Sequence, residues 1–263
     1  GIFALESNFP GFASGKTGES PLLENPHSDL ARVWAAGRES AVIGKALILA
    51  RKDLRLVLVC GHGLVQACLL GLLLLFVFSL AGSRQGSVDP AWVAAIFWLA
   101  SCFSLILITN ALFALEEENQ SRLGLIMAPM EAQAIWLGKC LAAGALLLAV
   151  QAVFAPACMV FLQVETLASW VDLCLVLVAV DWGLLAVGAF LGALAQGQSG
   201  RESLLTVIVF PLLIPLILAG IRLGGEVLGQ TGVATSAWYG VAGAFDAVFT
   251  GSALILFPFV YSE

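Results

Sequence analysis

Long apolar runs alternate with short polar connections along most of the chain. Each of six runs has almost no charge and is long enough to cross about 30 Å of hydrocarbon at about 1.5 Å per residue. The runs are uniformly apolar and lack the alternation of a barrel strand, so they predict helices. The predicted transmembrane spans are Leu64–Ala81, Trp92–Ala114, Leu141–Leu162, Leu173–Leu194, Leu204–Ile221 and Val241–Tyr261.

The composition points to an integral membrane protein. Apolar residues make up 60% of the chain and charged residues 11%, whereas an ordinary soluble domain carries about 25% charged residues. The net charge of −6 comes from acidic residues scattered over loops and tail, so it indicates no particular partner. Nucleic-acid binding is not expected, because the 12 Lys and Arg residues form no basic patch with aromatic residues.

The first 40 residues differ from the rest of the chain. Gly, Ser, Pro and Asn are frequent and hydrophobic periodicity is missing, so we predict that residues 1–40 form a disordered cytosolic tail. The segment Gly11–Thr17 looks like a phosphate-binding loop, but its two glycines are too close together for one. Any ATP that drives this chain is therefore expected on a partner polypeptide.

Residues 41–60 have the pattern of an amphipathic helix. Lys45, Lys52 and Arg55 lie on or beside its polar face. We predict an interfacial helix whose apolar face enters the acyl boundary and whose basic groups lie near anionic head groups. This helix either anchors the first span or also contacts a soluble subunit. Its apolar face comprises Ile43, Ala46, Leu47, Ala50, Leu54, Val57 and Leu58.

The basic residues predict the orientation in the membrane. The segment just before the first span contains Lys45, Arg51, Lys52 and Arg55, the connection between the second and third spans contains Arg122 and Lys139, and the connection between the fourth and fifth contains Arg201. The other side has Arg84 and Arg222. Because cytoplasmic loops are enriched in Lys and Arg, both termini are expected in the cytoplasm.

The connection between the second and third spans predicts a docking element. Glu116, Glu117 and Glu118 open it, and apolar residues then repeat at helical spacing outside the bilayer. A partner protein is the expected cover for this stripe. Taken alone, the glutamates are also compatible with a solvated end of the second span. The stripe comprises Leu123, Ile126, Met127 and Met130.

Polar and helix-bending residues also occur inside the spans. Asp181 and Asp246 cost about 2.5–3.5 kcal/mol each if they face lipid near the bilayer centre. We expect both to face protein or water, either in a structural hydrogen bond or in a proton or substrate relay. Pro211 and Pro215 remove backbone donors from the fifth span and are expected to bend or interrupt it, as a hinge or as a static kink.

The small residues are interpreted as packing residues. Gly188 and Gly192, and likewise Gly220 and Gly224, have the spacing that allows close approach of helices. The six cysteines never form Cys-x-x-Cys, so disulfides and metal sites are not expected. The chain has no heme-attachment motif. We predict no cofactor bound by this chain.

Three separated segments occur in order within residues 41–263. They are Leu49–Leu56, Phe113–Asn119 followed by Ala128 and Pro129, and Gly192–Glu202 leading into Phe210–Pro215. Together they resemble the heme exporter protein B family. The resemblance implies an ABC-2-type exporter-like membrane domain, namely the permease subunit of the ABC transporter of bacterial c-type cytochrome maturation. Heme that passes nearby is then expected to be held by partners.

The family resemblance also implies partners. They are a cytosolic ATPase subunit and other cytochrome c maturation membrane proteins, in the bacterial inner membrane. Either heme export or release of a heme-loaded chaperone fits, and the alternatives are an exporter half for another amphipathic substrate, such as a lipid or drug, or a scaffold without transport. The expected ATPase-docking residues are Arg51, Asp53, Arg55, Glu116, Glu117, Glu118, Leu123, Ile126, Met127 and Pro129.

Overall fold

The computed structural model describes residues 26–82, 89–118, 130–164, 169–195, 201–230 and 234–262. These residues form seven helices and contain no strand. In chain order the helices are α1 (Pro26–Cys60), α2 (His62–Gly82), α3 (Pro90–Glu118), α4 (Ala132–Phe161), α5 (Trp170–Leu194), α6 (Arg201–Val227) and α7 (Thr235–Ser262).

Six of these helices, α2 to α7, are long and apolar enough to cross a membrane. They confirm the predicted all-α membrane fold. The largest difference from the predicted bounds lies at the start of α4. The uncharged run began at Leu141 because Lys139 interrupts the apolar sequence, whereas the helix begins at Ala132. Lys139 is therefore part of a span-length helix.

The first helix begins earlier than the sequence predicted. α1 starts at Pro26, whereas the boundary was expected at residue 41. The chain divides into two compact units, residues 1–39 and 40–263, and the described part of the first unit is the start of α1. Residues 1–25 lie outside the described residues, so the disordered cytosolic tail stays a prediction for these residues alone.

The apolar face predicted for α1 is divided between two environments. One stripe, at helical spacing, is buried in the bundle, and a second set of apolar side chains is exposed, as the surface of an interfacial helix would be. The chain then turns into α2 at Gly61, whose φ of 67° glycine adopts at little cost. The buried stripe comprises Ala46, Leu49, Ala50 and Val57, and the exposed set includes Ile43, Leu47 and Leu58.

α3 lies at the centre of the bundle, where it contacts α2, α4, α5 and α6. Gly188 and Gly192 of α5 face side chains of α3, and Gly220 and Gly224 of α6 face Trp98 of α3. This arrangement confirms that both glycine pairs serve internal packing. α2 and α7 are the least buried of the six spans.

Candidate functional site

A buried charged cluster lies where α1, the end of α3 and the start of α4 meet. The Lys139 Nζ atom lies 2.8 Å from Asp53 Oδ2 and 2.5 Å from Glu116 Oε1. Lys139 is 1% exposed, Asp53 3% and Glu116 2%. We call these three residues the Lys139 cluster. Because each belongs to a different helix, one ammonium group joins α1, α3 and α4.

The local sequence explains why α1 reaches this cluster. Asp53 lies one helical turn after Leu49 and one turn before Val57, so the helical repeat turns its carboxylate towards the bundle. Gly138 of α4 leaves space for α1, because a Cβ atom there would lie 3.0 Å from the carbonyl oxygen of Ala46 and 3.1 Å from the Leu49 side chain. A larger residue at position 138 would push the two helices apart.

A second ammonium group lies beside the cluster. The Lys52 Nζ atom lies 3.0 Å from Asp53 Oδ1, so Asp53 contacts the ammonium groups of both Lys52 and Lys139. The Lys139 Nζ atom also lies 5.2 Å from the centre of the Phe113 ring, a distance at which cation–π attraction stabilises a desolvated ammonium. Removal of one buried partner leaves an uncompensated charge, at a cost of about 3–5 kcal/mol.

The predicted docking residues on α1 and at the end of α3 take different positions. Arg51 and Arg55 are exposed on α1, whereas Asp53 and Glu116 face the interior. The alternative of a solvated helix end is therefore wrong for Glu116, because Lys139 and its neighbours cover it. Direct contact with a partner does not fit this position of Asp53 and Glu116 either.

The other predicted docking residues lie at the edge of the described chain or beyond it. Glu117 and Glu118 end α3, but their side chains are outside the described part. Leu123, Ile126 and Met127 of the docking stripe, together with Pro129, also lie outside the described residues, so their role stays a prediction. Met130, the last residue of the stripe, is described and packs, partly buried, against the core.

A second polar cluster lies in the middle of the bundle. Gln151 Nε2 donates a hydrogen bond to Asp181 Oδ1 at 2.8 Å and another to Ser101 Oγ at 3.3 Å. All three side chains are buried. Asp181 thus faces protein, as expected from the free-energy cost of exposing its carboxylate to lipid. The sequence reasoning did not identify Gln151, whose only signal was an amide inside an otherwise apolar run.

Asp246 and the two prolines lie in other parts of the bundle. Asp246 is half-buried on α7, and its Oδ1 atom lies against Gly183 of α5. Pro211 and Pro215 are exposed on α6, which continues as one helix through both. The prolines therefore do not interrupt the span, and a hinge there stays a prediction.

The described residues offer little for a metal or heme group. They contain no group of three or more His, Cys, Asp or Glu side chains that could hold a metal ion. His62 lines an open, mostly apolar groove of about 590 Å³ along α2. The residues that line this groove include no second imidazole, thiol or thioether, so they would supply a single axial ligand.

The fold defines a multi-pass helical membrane protein with a charge cluster at one end of its bundle. The family model of the CcmB protein matches residues 44–263, and the chain belongs to this family, heme exporter protein B. The match confirms the resemblance seen in the sequence, and it includes all three residues of the Lys139 cluster. Family members are permease subunits of the ABC transporter system for cytochrome c maturation. Comparisons with curated proteins and with solved structures gave no match.

Proposed function

We propose that a separate cytosolic ABC ATPase drives this permease in a step of bacterial c-type cytochrome maturation, through the end of the bundle that holds the Lys139 cluster. The observation that carries this proposal is the position of the cluster. It joins α1 to the two helices that flank the connection 119–129. ATP binding and hydrolysis belong to the partner.

The cluster is suited to transmit a displacement. α3 ends at Glu118 and α4 begins at Ala132, so the connection joins two helices that Glu116 and Lys139 already hold together. A partner that moves the connection moves both helix ends, and Asp53 carries α1 with them. Rigid helices then extend this movement to the other end of the bundle.

The predicted orientation supports docking on the cytoplasmic side, where the ATPase would be. By the distribution of Lys and Arg, the connection and both termini face the cytoplasm of the bacterial inner membrane. Arg51 and Arg55 of α1 are exposed and belong to the helix that the cluster ties to the connection. In this proposal the stripe of Leu123, Ile126 and Met127 lies as a short helix in a groove of the ATPase.

Heme is treated as the cargo of the system rather than as a cofactor of this chain. Both heme export and release of a heme-loaded chaperone need a movement driven by ATP and passed through the bundle, so both fit the proposal. Other cytochrome c maturation membrane proteins hold the heme in this account.

Deletion of the chain in its host, with staining for covalent heme, tests the proposal. We expect c-type heme to disappear while b-type heme persists, and we expect a cytosolic ATPase to co-purify with the tagged chain. Normal c-type heme after deletion would contradict the proposal and point to an exporter of another amphipathic substrate. Co-purification of assembly proteins without an ATPase would point to a scaffold.

A further inference from the structure

Both N–H hydrogens of the Gln151 side-chain amide are donated in hydrogen bonds. One N–H donates to Asp181 Oδ1 and the other to Ser101 Oγ. The Ser101 hydroxyl donates to the Phe97 carbonyl oxygen at 2.9 Å, so it accepts from Gln151, and this direction fixes the orientation of the amide. The chain of hydrogen bonds links α3, α4 and α5 at the level of the spans.

Two polar atoms of this cluster have no hydrogen-bond partner among the described residues. They are Asp181 Oδ2 and Gln151 Oε1, and both are buried. Asp181 is 5% exposed and Gln151 3%. An ionised carboxylate and an amide oxygen are both acceptors, so neither can satisfy the other. A single proton on Asp181 Oδ2 would make that atom a donor, and the amide oxygen of the residue already bonded to Asp181 Oδ1 is the acceptor that it could serve.

We propose that Asp181 is a proton-binding site, held as a neutral carboxylic acid whose Oδ2–H donates to Gln151 Oε1. Together with the bond from Gln151 Nε2 to Asp181 Oδ1, this contact closes an acid–amide pair that ties α4 to α5. The pair holds α4 and α5 together near the middle of their spans. This role does not depend on the proposed coupling to an ATPase.

The surroundings of Asp181 favour the neutral form. The described residues provide no ion pair to Asp181, although an ionised carboxylate buried at this depth needs one. Cys102 of α3 is near enough to interact electrostatically with Asp181, and Asp246 of α7 lies against the neighbouring Gly183. Neither side chain supplies positive charge. The site is also unsuited to a hard metal ion, because it offers two free oxygen atoms, whereas such ions take roughly six oxygen ligands.

Infrared spectroscopy of the purified full chain in lipid nanodiscs tests the proton directly. A protonated Asp181 gives a carboxylic acid C=O band that shifts on exchange into D₂O. We expect Asp181→Asn to remove this band from the difference spectrum and Asp246→Asn, the matched control, to leave it in place. If Asp181→Asn removes no such band, the proposal is overturned.

Thermal unfolding of the same preparations supplies a second readout. Asparagine can form the equivalent amide–amide pair, so Asp181→Asn should unfold at the wild-type temperature. Asp181→Ala and Gln151→Leu each leave a buried partner unpaired and should lower it by on the order of 5 °C. Loss of folding in Asp181→Asn, or an Asp181-dependent stabilisation by Na⁺ or K⁺, would show that the wild-type site holds a charge and would overturn the proposal.

Discussion

The Lys139 Nζ atom lies 2.8 Å from Asp53 Oδ2, and this contact joins α4 to α1 inside the protein. Both side chains are almost fully buried. A pair of charges in such a place contributes little net stability compared with apolar residues, but it is costly to break from one side. Loss of one member of this pair should therefore destabilise the packing of both α1 and α4.

Replacement of the central ammonium should destabilise the protein. Lys139→Met leaves Asp53 and Glu116 as buried carboxylates without their common partner, at a cost of about 3–5 kcal/mol. We expect a lower unfolding temperature in detergent or nanodiscs. Lys52→Met is the matched control, because Lys52 contacts the same carboxylate but is 40% exposed, and it should change stability by about 1 kcal/mol or less. Equal effects of the two variants would contradict a buried joint at Lys139.

Neutralisation of the whole cluster should recover most of the lost stability. The triple variant Asp53→Asn, Glu116→Gln, Lys139→Met removes all three buried charges while it keeps similar side-chain volumes. Because no uncompensated buried charge remains and the Lys52 ammonium is 40% exposed, we expect its free energy of unfolding to approach the wild-type value. Unfolding of all variants in one denaturant series checks this. A triple variant less stable than Lys139→Met would show that the three residues do not act as one charge cluster.

A side chain at position 138 should separate α1 from α4. Gly138→Val places new atoms against the carbonyl oxygen of Ala46 and the side chain of Leu49, and overpacking of this kind costs roughly 1–3 kcal/mol. Cysteine cross-linking between the two helices should become slower. Gly44→Val is the control, because a Cβ atom at position 44 meets no neighbour within 4 Å, and it should cross-link at the wild-type rate. Unchanged cross-linking in Gly138→Val would contradict the close approach of the helices.

Charges placed in the docking stripe should release the ATPase. Replacement of Leu123, Ile126 and Met127 by Asp removes the apolar face that a groove would bury, while membrane insertion depends on the spans and should persist. Co-purification of the ATPase with the tagged variant measures the effect. Retention of the ATPase at wild-type yield would remove the main support for docking through residues 119–129.

The sequence predicted the fold well because the bilayer restricts the possibilities. Uniformly apolar runs of span length have few other structures available, and all six spans are found. The bounds were less accurate at α4, where Lys139 ended the uncharged run although the helix includes it. A charged residue within a helix can be buried when partners on other helices neutralise its charge. The hydropathy of the sequence does not reveal such partners.

Only part of the candidate site could be predicted, because hydropathy along the chain does not show which residues of different helices meet. Asp53 and Glu116 were selected as docking residues, but their pairing depends on Lys139, which had served only to predict orientation. The position of Asp53 on the buried stripe of α1, between Leu49 and Val57, was a usable signal for an internal partner. Gln151 gave a similar signal inside its span. Which residues meet across helices follows from packing, and spacing along one helix does not determine it.

The most direct test of coupling through the Lys139 cluster uses the triple variant, because it should fold while it lacks the ionic joint. In the complex with its ATPase, we would measure ATP hydrolysis together with the covalent heme of c-type cytochromes in cells. The account predicts that the ATPase stays bound and hydrolyses ATP, while c-type heme falls far below the wild-type level. Wild-type amounts of c-type heme in cells that carry the triple variant would contradict it.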